Sequence, residues 1–253
     1  MSRHSGKTVI ITGGASGLGE AMSRRLAEEG AHVVITDIDL AAAERLASEL
    51  GERATPIRHD VTSEEDWNKV ITQVRQERGV IHGLVNNAGI APAQDLMIPL
   101  AEWRKVMAVD LDGVFLGTQK AVAVMAEQDV RGAIINMSSA MAYVGQATTP
   151  AYSAAKAGVI GLTKSAVAYV SAHRMNIRIN TIHPGTHETP ILLDALPHLP
   201  EGFKEAELAR HPVGHFGNPN GVAATVSFLL DDDAEFYQGA EFLIDGARLA
   251  VDR

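Results

Sequence analysis

The chain has 253 residues, of which 46% are apolar and 21% are charged, and this is enough for one large α/β domain or two small ones. Its 22 basic and 31 acidic side chains give a formal net charge of −9, which argues against binding to nucleic acid or to an anionic membrane. There is no cysteine, so disulfides, thiolate metal sites and cysteine nucleophiles are excluded. The first apolar run is too short for a membrane helix and no signal-peptide cleavage pattern follows it, so we expect a cytoplasmic protein.

Short β-branched runs alternate with longer helical patterns along the whole chain. The predicted strands are Thr8–Thr12, Val33–Asp37, Ala54–His59, Gly83–Asn86, Ala133–Met137, Ile177–His183 and Phe242–Asp245. The predicted helices are Gly17–Glu29 and, approximately, 40–50, 63–78, 99–126, 152–173 and 219–231. Seven strands separated by helices predict a single α/β domain over residues 1–253, with a doubly wound parallel sheet and helices on both faces.

A glycine-rich segment, TGGASGLG, follows the first predicted strand and opens the first predicted helix. Its glycines allow a tight turn and a close approach of the backbone to a pyrophosphate, which would then sit at the helix N-terminus. The sequence therefore predicts a Rossmann-type dinucleotide site, although a glycine turn without a ligand is the alternative. The residues that we expect to contact the cofactor here are Gly13, Ser16, Gly17, Leu18 and Gly19.

An acidic residue, Asp37, ends the second predicted strand, where a carboxylate can accept hydrogen bonds from both hydroxyls of the adenosine ribose. A 2′-phosphate would meet like charge there, and neither Gly14–Leu18 nor the next residues, Ile38 and Asp39, supply a cation. The cofactor is therefore predicted to be NAD rather than NADP. The alternative is that Asp37 only caps the following turn.

Two further segments follow the third and fourth predicted strands, at the sheet edge where ligands bind in such folds. Asp60 and Val61 form the first segment, and the carboxylate of Asp60 could accept a hydrogen bond from the adenine amino group. The second segment, NNAG, contains Asn87, Ala88 and Gly89, whose backbone could pass close to the second ribose.

A candidate catalytic pair, Tyr152 and Lys156, lies four residues apart on a predicted helix and so shares one helix face. An ammonium stabilises a neighbouring phenolate, which makes the tyrosine a usable general acid or base. Ser139, at the end of the fifth predicted strand, can donate a hydrogen bond to the same substrate oxygen. A tyrosine and lysine at this spacing can also be a plain surface pair, but the order of the other motifs favours the catalytic interpretation.

With these motifs, and with INMSS, YSAAK and HPG, the chain resembles the short-chain dehydrogenase/reductase family over nearly its full length. The resemblance implies that Ser139 orients the substrate oxygen, Tyr152 transfers the proton, and Lys156 binds the nicotinamide ribose and tunes Tyr152. It also implies a homotetramer. The residues that it places along the nicotinamide are Pro184, Gly185 and Thr189, the last at the carboxamide.

Asp110 departs from the family pattern, since the family usually carries asparagine at this position, in a kinked helix behind the active-site lysine. An ionised aspartate accepts hydrogen bonds but cannot donate them. We expect Asp110 to add negative charge near Lys156 and to change the pH optimum. The alternative is a tolerated isostere without kinetic effect.

The stretch of residues 188–216 is predicted to be a lid over the substrate, and it contains Ile191, Leu192, Leu193, Leu196, Leu199 and Phe203. Together with similarity to bacterial hydroxysteroid dehydrogenases, this favours an apolar, cyclic or steroid-like secondary alcohol. Leucines that only pack the lid are the alternative. The candidate substrate contacts are Ala140, Met141, Gln146, His187 and Leu192, of which His187 replaces an apolar residue of the family motif.

Two other functions remain open at this point. A β-ketoacyl carrier-protein reductase would generally use NADPH and need a basic docking patch, against which Asp37 and the net charge of −9 both argue. A dinucleotide-sensing protein that has lost catalysis is disfavoured by the presence of Ser139, Tyr152 and Lys156. A metal site is not expected, because the ten histidines show no recognised ligand spacing.

Overall fold

The computed structural model describes residues 2–196 and 201–251. Within them, seven parallel strands form one sheet in the order β3-β2-β1-β4-β5-β6-β7. The strands are Thr8–Thr12 (β1), His32–Asp37 (β2), Ala54–Arg58 (β3), Gly83–Asn86 (β4), Gly132–Met137 (β5), Ile177–Pro184 (β6) and Glu241–Ile244 (β7). The predicted α/β fold with a doubly wound parallel sheet is confirmed, and each strand begins and ends within one residue of its prediction.

The helices connect successive strands and are mostly amphipathic or apolar. They are Gly17–Glu28 (α1), Leu40–Leu50 (α2), Glu64–Arg78 (α3), Leu100–Met107 (α4), Gly113–Glu127 (α5), Pro150–Ala172 (α6), Pro190–Ala195 (α7), Phe203–Leu208 (α8) and Pro219–Leu230 (α9). A π-helical turn, Ala108–Asp112, joins α4 to α5. The helix predicted over 99–126 is therefore interrupted, and the predicted lid contains two short helices, α7 and α8.

Alternating side chains of each central strand point to opposite faces of the sheet and build two cores. Val9 and Ile11 of β1 pack with α1, α2 and α9, whereas Ile10 packs with α3, α5 and α6 on the other face. Trp67 of α3 is fully buried in the second core. Because both faces are covered, the strands are continuous apolar runs. In sheets of this kind, ligands bind at the carboxyl ends of the strands.

The strand order reverses between β1 and β4, which both pair with their neighbours in parallel register. Such a reversal opens a crevice at the carboxyl ends of the strands. The segments that follow β1 to β6 all meet at this edge. In the part of the chain that the structure describes, no helix is both long enough and apolar enough to cross a bilayer.

Candidate active site

The glycine loop after β1 brings the N-terminus of α1 close to the sheet. Gly13 and Gly17 adopt left-handed backbone angles, with φ of +59° and +55°, which residues other than glycine rarely adopt. A Cβ on Gly19 would lie 2.0 Å from the carbonyl oxygen of Gly13, so the helix can approach the loop only with glycine there. The Ser16 side chain does not cap α1. The first N–H groups of α1 therefore remain available to an anion, as a pyrophosphate requires.

The NNAG segment is held against the glycine loop by Thr12, the last residue of β1. The Thr12 hydroxyl accepts hydrogen bonds from the backbone N–H groups of Asn87 and Ala88, at 2.9 and 3.0 Å. The side-chain amide of Asn87 donates two hydrogen bonds in the opposite direction, to the carbonyl oxygens of Thr12 at 3.0 Å and Gly13 at 3.1 Å. Thr12 was not predicted as a site residue. The signal available in the sequence was a hydroxyl residue at the end of an apolar strand, as the first residue of TGGASGLG.

Asp37 ends β2 with its carboxylate turned toward the glycine loop. One oxygen accepts a hydrogen bond from the N–H of Ala15 at 3.2 Å, and the other accepts from the N–H of Asp39 at 3.1 Å. These bonds fix the carboxylate in the cleft wall. The next side chain, Ile38, is 64% exposed at the rim.

The segment after β3 forms the far end of the cleft. One carboxylate oxygen of Asp60 accepts from the N–H and hydroxyl of Thr62, at 2.9 and 2.7 Å. Val61 is buried, and its carbonyl oxygen accepts from the Trp67 indole at 3.0 Å. Burial lowers the pKa of the adjacent His59 to about 4, so this histidine is neutral at physiological pH.

Lys156 is buried beneath Tyr152, with its Nζ 5.5 Å from the centre of the tyrosine ring. The same ammonium donates to the Met137 carbonyl oxygen at 3.2 Å. It also lies 3.2 Å from a carboxylate oxygen of Asp110, with which it forms an ion pair. Burial alone would lower the pKa of Lys156, but the charges of Asp110 and Tyr152 more than offset it, and the pKa is raised. Lys156 is therefore a permanent cation at neutral pH.

Asp110 lies in the π-helical turn. Asp110 is fully buried there, and its second carboxylate oxygen accepts from the N–H of Ile90 at 2.9 Å, just beyond NNAG. A Cβ on Gly89 would lie 2.9 Å from Asp110 and 3.3 Å from Lys156, so glycine is also needed at this contact. Single π turns inside helices occur frequently at functional sites.

Ser139 follows β5 and begins a short 3₁₀ turn, where its hydroxyl oxygen accepts from the N–H of Met141 at 3.1 Å. This acceptor bond leaves the hydroxyl proton free for another oxygen. The preceding Ser138 donates to the Lys156 carbonyl oxygen at 2.8 Å, and this bond ties β5 to α6.

All these segments line one cleft of about 800 Å³. Its wall contains most of the predicted cofactor and catalytic residues together: Gly13, Ser16, Gly17, Leu18, Asp37, Ile38, Asp60, Val61, Asn87, Ala88, Gly89, Ser139, Tyr152, Lys156, Pro184, Gly185 and Thr189. Gly19 and Asp110 lie directly behind the wall. The cleft wall also includes side chains that our sequence reasoning did not name, among them His59, Ile90, Glu102, Lys105 and Val109.

The predicted substrate contacts are not part of this wall. Ala140 and Met141 are buried behind Ser139, while Gln146 and Leu192 are half-buried outside the cleft. His187 is buried and lines a separate cavity of about 360 Å³, and its Nδ1 pairs with the Gly185 carbonyl oxygen at 3.0 Å. Contact of these five residues with a substrate stays a prediction. Of the apolar lid residues, Leu199 and the side chain of Ile191 lie outside what the structure describes.

Within the described ranges, no group of three or more histidine, aspartate or glutamate side chains is arranged to hold a metal ion. The donors of the cleft include backbone N–H groups, hydroxyls and the ammonium groups of Lys105 and Lys156. Such a donor set, together with glycines that a Cβ would block, fits a dinucleotide with a pyrophosphate.

The family model described as Enoyl-(Acyl carrier protein) reductase matches residues 13–247 of this chain. The chain therefore belongs to the short-chain dehydrogenase/reductase family, as its motifs and cleft indicated. The crystal structure of gox2181 has the same fold, with a TM-score of 0.92 and 30% sequence identity over 98% of both chains.

Three relatives span nearly the whole chain. The NADP-dependent (R)-specific alcohol dehydrogenase of Lentilactobacillus kefiri is 37% identical, over 98% of each chain. The cis-4-hydroxycyclohexanecarboxylate dehydrogenase of Sinomonas cyclohexanicum is 39% identical, over 97% of each chain. The 3-beta-hydroxysteroid dehydrogenase of Comamonas testosteroni is 36% identical, over 99% of this chain and 98% of its own.

Proposed function

We propose that the protein is an NAD-dependent dehydrogenase that interconverts a secondary alcohol and its ketone. The observation that carries this proposal is the convergence of Ser139, Tyr152 and the buried Lys156 on the same cleft as the uncapped N-terminus of α1. A hydroxyl donor, a proton-transfer group and a fixed cation beside a dinucleotide groove are the parts that carbonyl reduction requires.

When bound, the nicotinamide supplies or accepts a hydride. The protein's own residues handle the proton and the oxygen. Ser139 donates its hydroxyl proton to the substrate oxygen, and Tyr152 removes the alcohol proton during oxidation or returns it during reduction. Lys156 stabilises the phenolate, because its ammonium is held beneath the ring and kept protonated by Asp110.

The choice of NAD rests on Asp37. Its carboxylate is fixed toward the cleft by the N–H groups of Ala15 and Asp39, and a 2′-phosphate at this position would meet like charge. The relatives do not decide this point, since the L. kefiri enzyme is NADP-dependent. Pro184, Gly185 and Thr189 would hold the nicotinamide, and Asp60 the adenine.

The substrate class that we propose is an apolar cyclic alcohol. Two of the relatives are named for a hydroxycyclohexane acid and a hydroxysteroid, which are both cyclic secondary alcohols. Leu193 of α7 is 49% exposed one helical turn after the cleft residue Thr189, and it would offer an apolar contact to such a substrate.

A reductase that acts on a carrier-protein thioester remains the second candidate, since the description of the matching family model names a reductase of acyl-carrier-protein substrates. Asp37 and the net charge of −9 argue against it, because such a reductase generally uses NADPH and needs a basic docking surface.

The test is to follow nicotinamide absorbance with NAD⁺ and NADP⁺ over a panel of linear, cyclic and steroidal secondary alcohols. In the reverse direction, the panel includes a β-ketoacyl thioester with NADH and NADPH. The proposal predicts the highest kcat/KM for NAD⁺ with a cyclic alcohol. Preference for NADPH and the thioester would establish the second candidate, and cofactor binding without any turnover would establish a sensor.

A further inference from the structure

Helix α8 of the lid carries a buried carboxylate, Glu207, whereas the neighbouring Glu201 and Glu205 are exposed. Glu207 is 7% exposed. One of its oxygens accepts from the Thr186 hydroxyl at 2.7 Å and from the Arg248 guanidinium at 2.8 Å. The other oxygen accepts from Arg210 at 3.0 Å. Two of these three donors, Thr186 and Arg248, come from distant parts of the sequence, so the carboxylate fixes the position of α8 against them.

Thr186 directly follows Pro184 and Gly185 of the cleft wall, and it is held both by α8 and by His211, three residues after the end of α8. Besides the hydroxyl bond to Glu207, the N–H of Thr186 donates to His211 Nε2 at 3.1 Å. The other ring nitrogen of His211 lies 2.9 Å from the Glu207 carbonyl oxygen, which can only accept. The proton of a neutral His211 is therefore on Nδ1, and Nε2 is the acceptor that Thr186 needs.

Arg248 extends the same network to the other side of the site. Its side chain is 10% exposed, and its second guanidinium nitrogen lies 4.0 Å from the Met141 sulfur. Met141 is in turn held by Ser139. Glu207 thus joins the lid helix to the loop below the nicotinamide end of the cleft and, through Arg248, to the turn that contains Ser139.

We propose that Glu207 is a positioning residue that couples the lid to the loop Pro184–Thr186, so that movement of α8 away from the cleft releases this loop and weakens cofactor binding. This inference rests on the proposed function. Outward movement of α8 would remove the hydrogen bond between Thr186 and Glu207 and separate Glu207 from Arg248. The loop is then no longer held in the position that the cleft requires.

The test compares Glu207→Gln with Glu205→Gln. Glu205 is an exposed glutamate two residues earlier on the same helix. The first readout is the dissociation constant of NADH, measured by fluorescence without substrate. We expect Glu207→Gln to weaken NADH binding about tenfold, because a charged hydrogen-bonding partner is lost from a buried site. Glu205→Gln should bind within about twofold of the unaltered protein.

Thr186 supplies a second pair of variants that leaves the carboxylate intact. Thr186→Val removes the hydroxyl and should weaken NADH binding as Glu207→Gln does. Thr186→Ser retains the hydroxyl and should bind NADH like the unaltered protein. The double variant Thr186→Val with Glu207→Gln should weaken NADH binding by less than the product of the two single fold-changes, because both substitutions remove the same contact.

Hydrogen exchange is the second readout, and Glu207→Gln should speed exchange of the backbone amides in residues 185–189 as well as in α8. Equal NADH affinity in Glu207→Gln and Glu205→Gln, with unchanged exchange in 185–189, overturns the inference but leaves the proposed function standing. Failure of the unaltered protein to bind NADH overturns both. A lower melting temperature with unchanged NADH affinity also overturns the inference, because Glu207 would then only stabilise the lid.

Discussion

The ion pair between Asp110 and Lys156 sets the electrostatics behind Tyr152. Both side chains are almost completely buried, and each is a costly charge unless the other compensates it. The pKa of Lys156 is raised even though burial opposes its charge, with Asp110 as the largest favourable contribution. The ammonium therefore persists at neutral and moderately alkaline pH and is lost only when the pH rises through this raised pKa.

Asp110→Asn removes the charge that keeps Lys156 protonated, so burial should then lower the lysine's pKa. We predict that the alkaline limb of the pH profile of kcat/KM for alcohol oxidation moves to lower pH, by about 1 to 3 units. Asp112→Asn, at an exposed position of the same turn, is the matched control and should leave the profile in place. Identical profiles for both variants would show that Asp110 is a tolerated isostere.

Asp37 is the residue on which cofactor choice depends. Asp37→Asn should raise the ratio of kcat/KM for NADP⁺ to that for NAD⁺ by about 10- to 100-fold, because repulsion between charges a few ångströms apart near a protein surface amounts to about 1–4 kcal/mol. Asp39→Asn removes an equal charge two residues away, at the N-cap of α2, and should change the ratio less than about threefold. A strong preference of the unaltered protein for NADP⁺ would contradict the assignment.

At the scale of elements, the sequence predicts what local periodicity and glycine spacing determine. The strands, the glycine loop and the helix of Tyr152 all follow from such patterns. The π-helical turn could not be predicted in this way, because the contacts of its Asp110 are with Ile90 and Lys156, which are far away in sequence. Glu207 was not predicted for the same reason, since its partners Thr186 and Arg248 are far away in sequence.

The contact between α1 and the glycine loop gives a prediction at this scale. Gly19→Ala would place a Cβ 2.0 Å from the Gly13 carbonyl oxygen, so the helix must move away from the loop. We expect the free energy of unfolding to fall by about 1–3 kcal/mol and NADH affinity to fall at least about tenfold. The measurements are chemical denaturation and fluorescence titration.

Gly221→Ala is the control for the Gly19 variant. Gly221 lies in α9 with no atom within 4 Å of an added Cβ, so alanine should stabilise the protein by about 0.5–1 kcal/mol. Equal effects of the two substitutions would contradict the close approach of α1 to the loop.

For the whole molecule, the family resemblance predicts a homotetramer, and several exposed apolar side chains are consistent with buried interfaces. Leu100 of α4 is 60% exposed, Phe115 of α5 is 45% exposed, and Leu243 of β7 is 50% exposed. Light scattering should give four times the chain mass of 26.9 kDa. Phe115→Glu should yield smaller species if α5 lies in an interface. A single-chain mass for the unaltered protein would contradict the prediction.

The central claim is that Tyr152, beside a dinucleotide and Lys156, transfers the proton during alcohol oxidation. The most direct measurement compares kcat for Tyr152→Phe and Tyr169→Phe, two tyrosines of the same helix, with NAD⁺ and the best cyclic alcohol. Tyr169 is 52% exposed, and its variant should keep normal activity. We predict that Tyr152→Phe lowers kcat by about 10²- to 10⁴-fold while NADH affinity stays within about twofold. Retention of most of the activity by Tyr152→Phe would contradict the account.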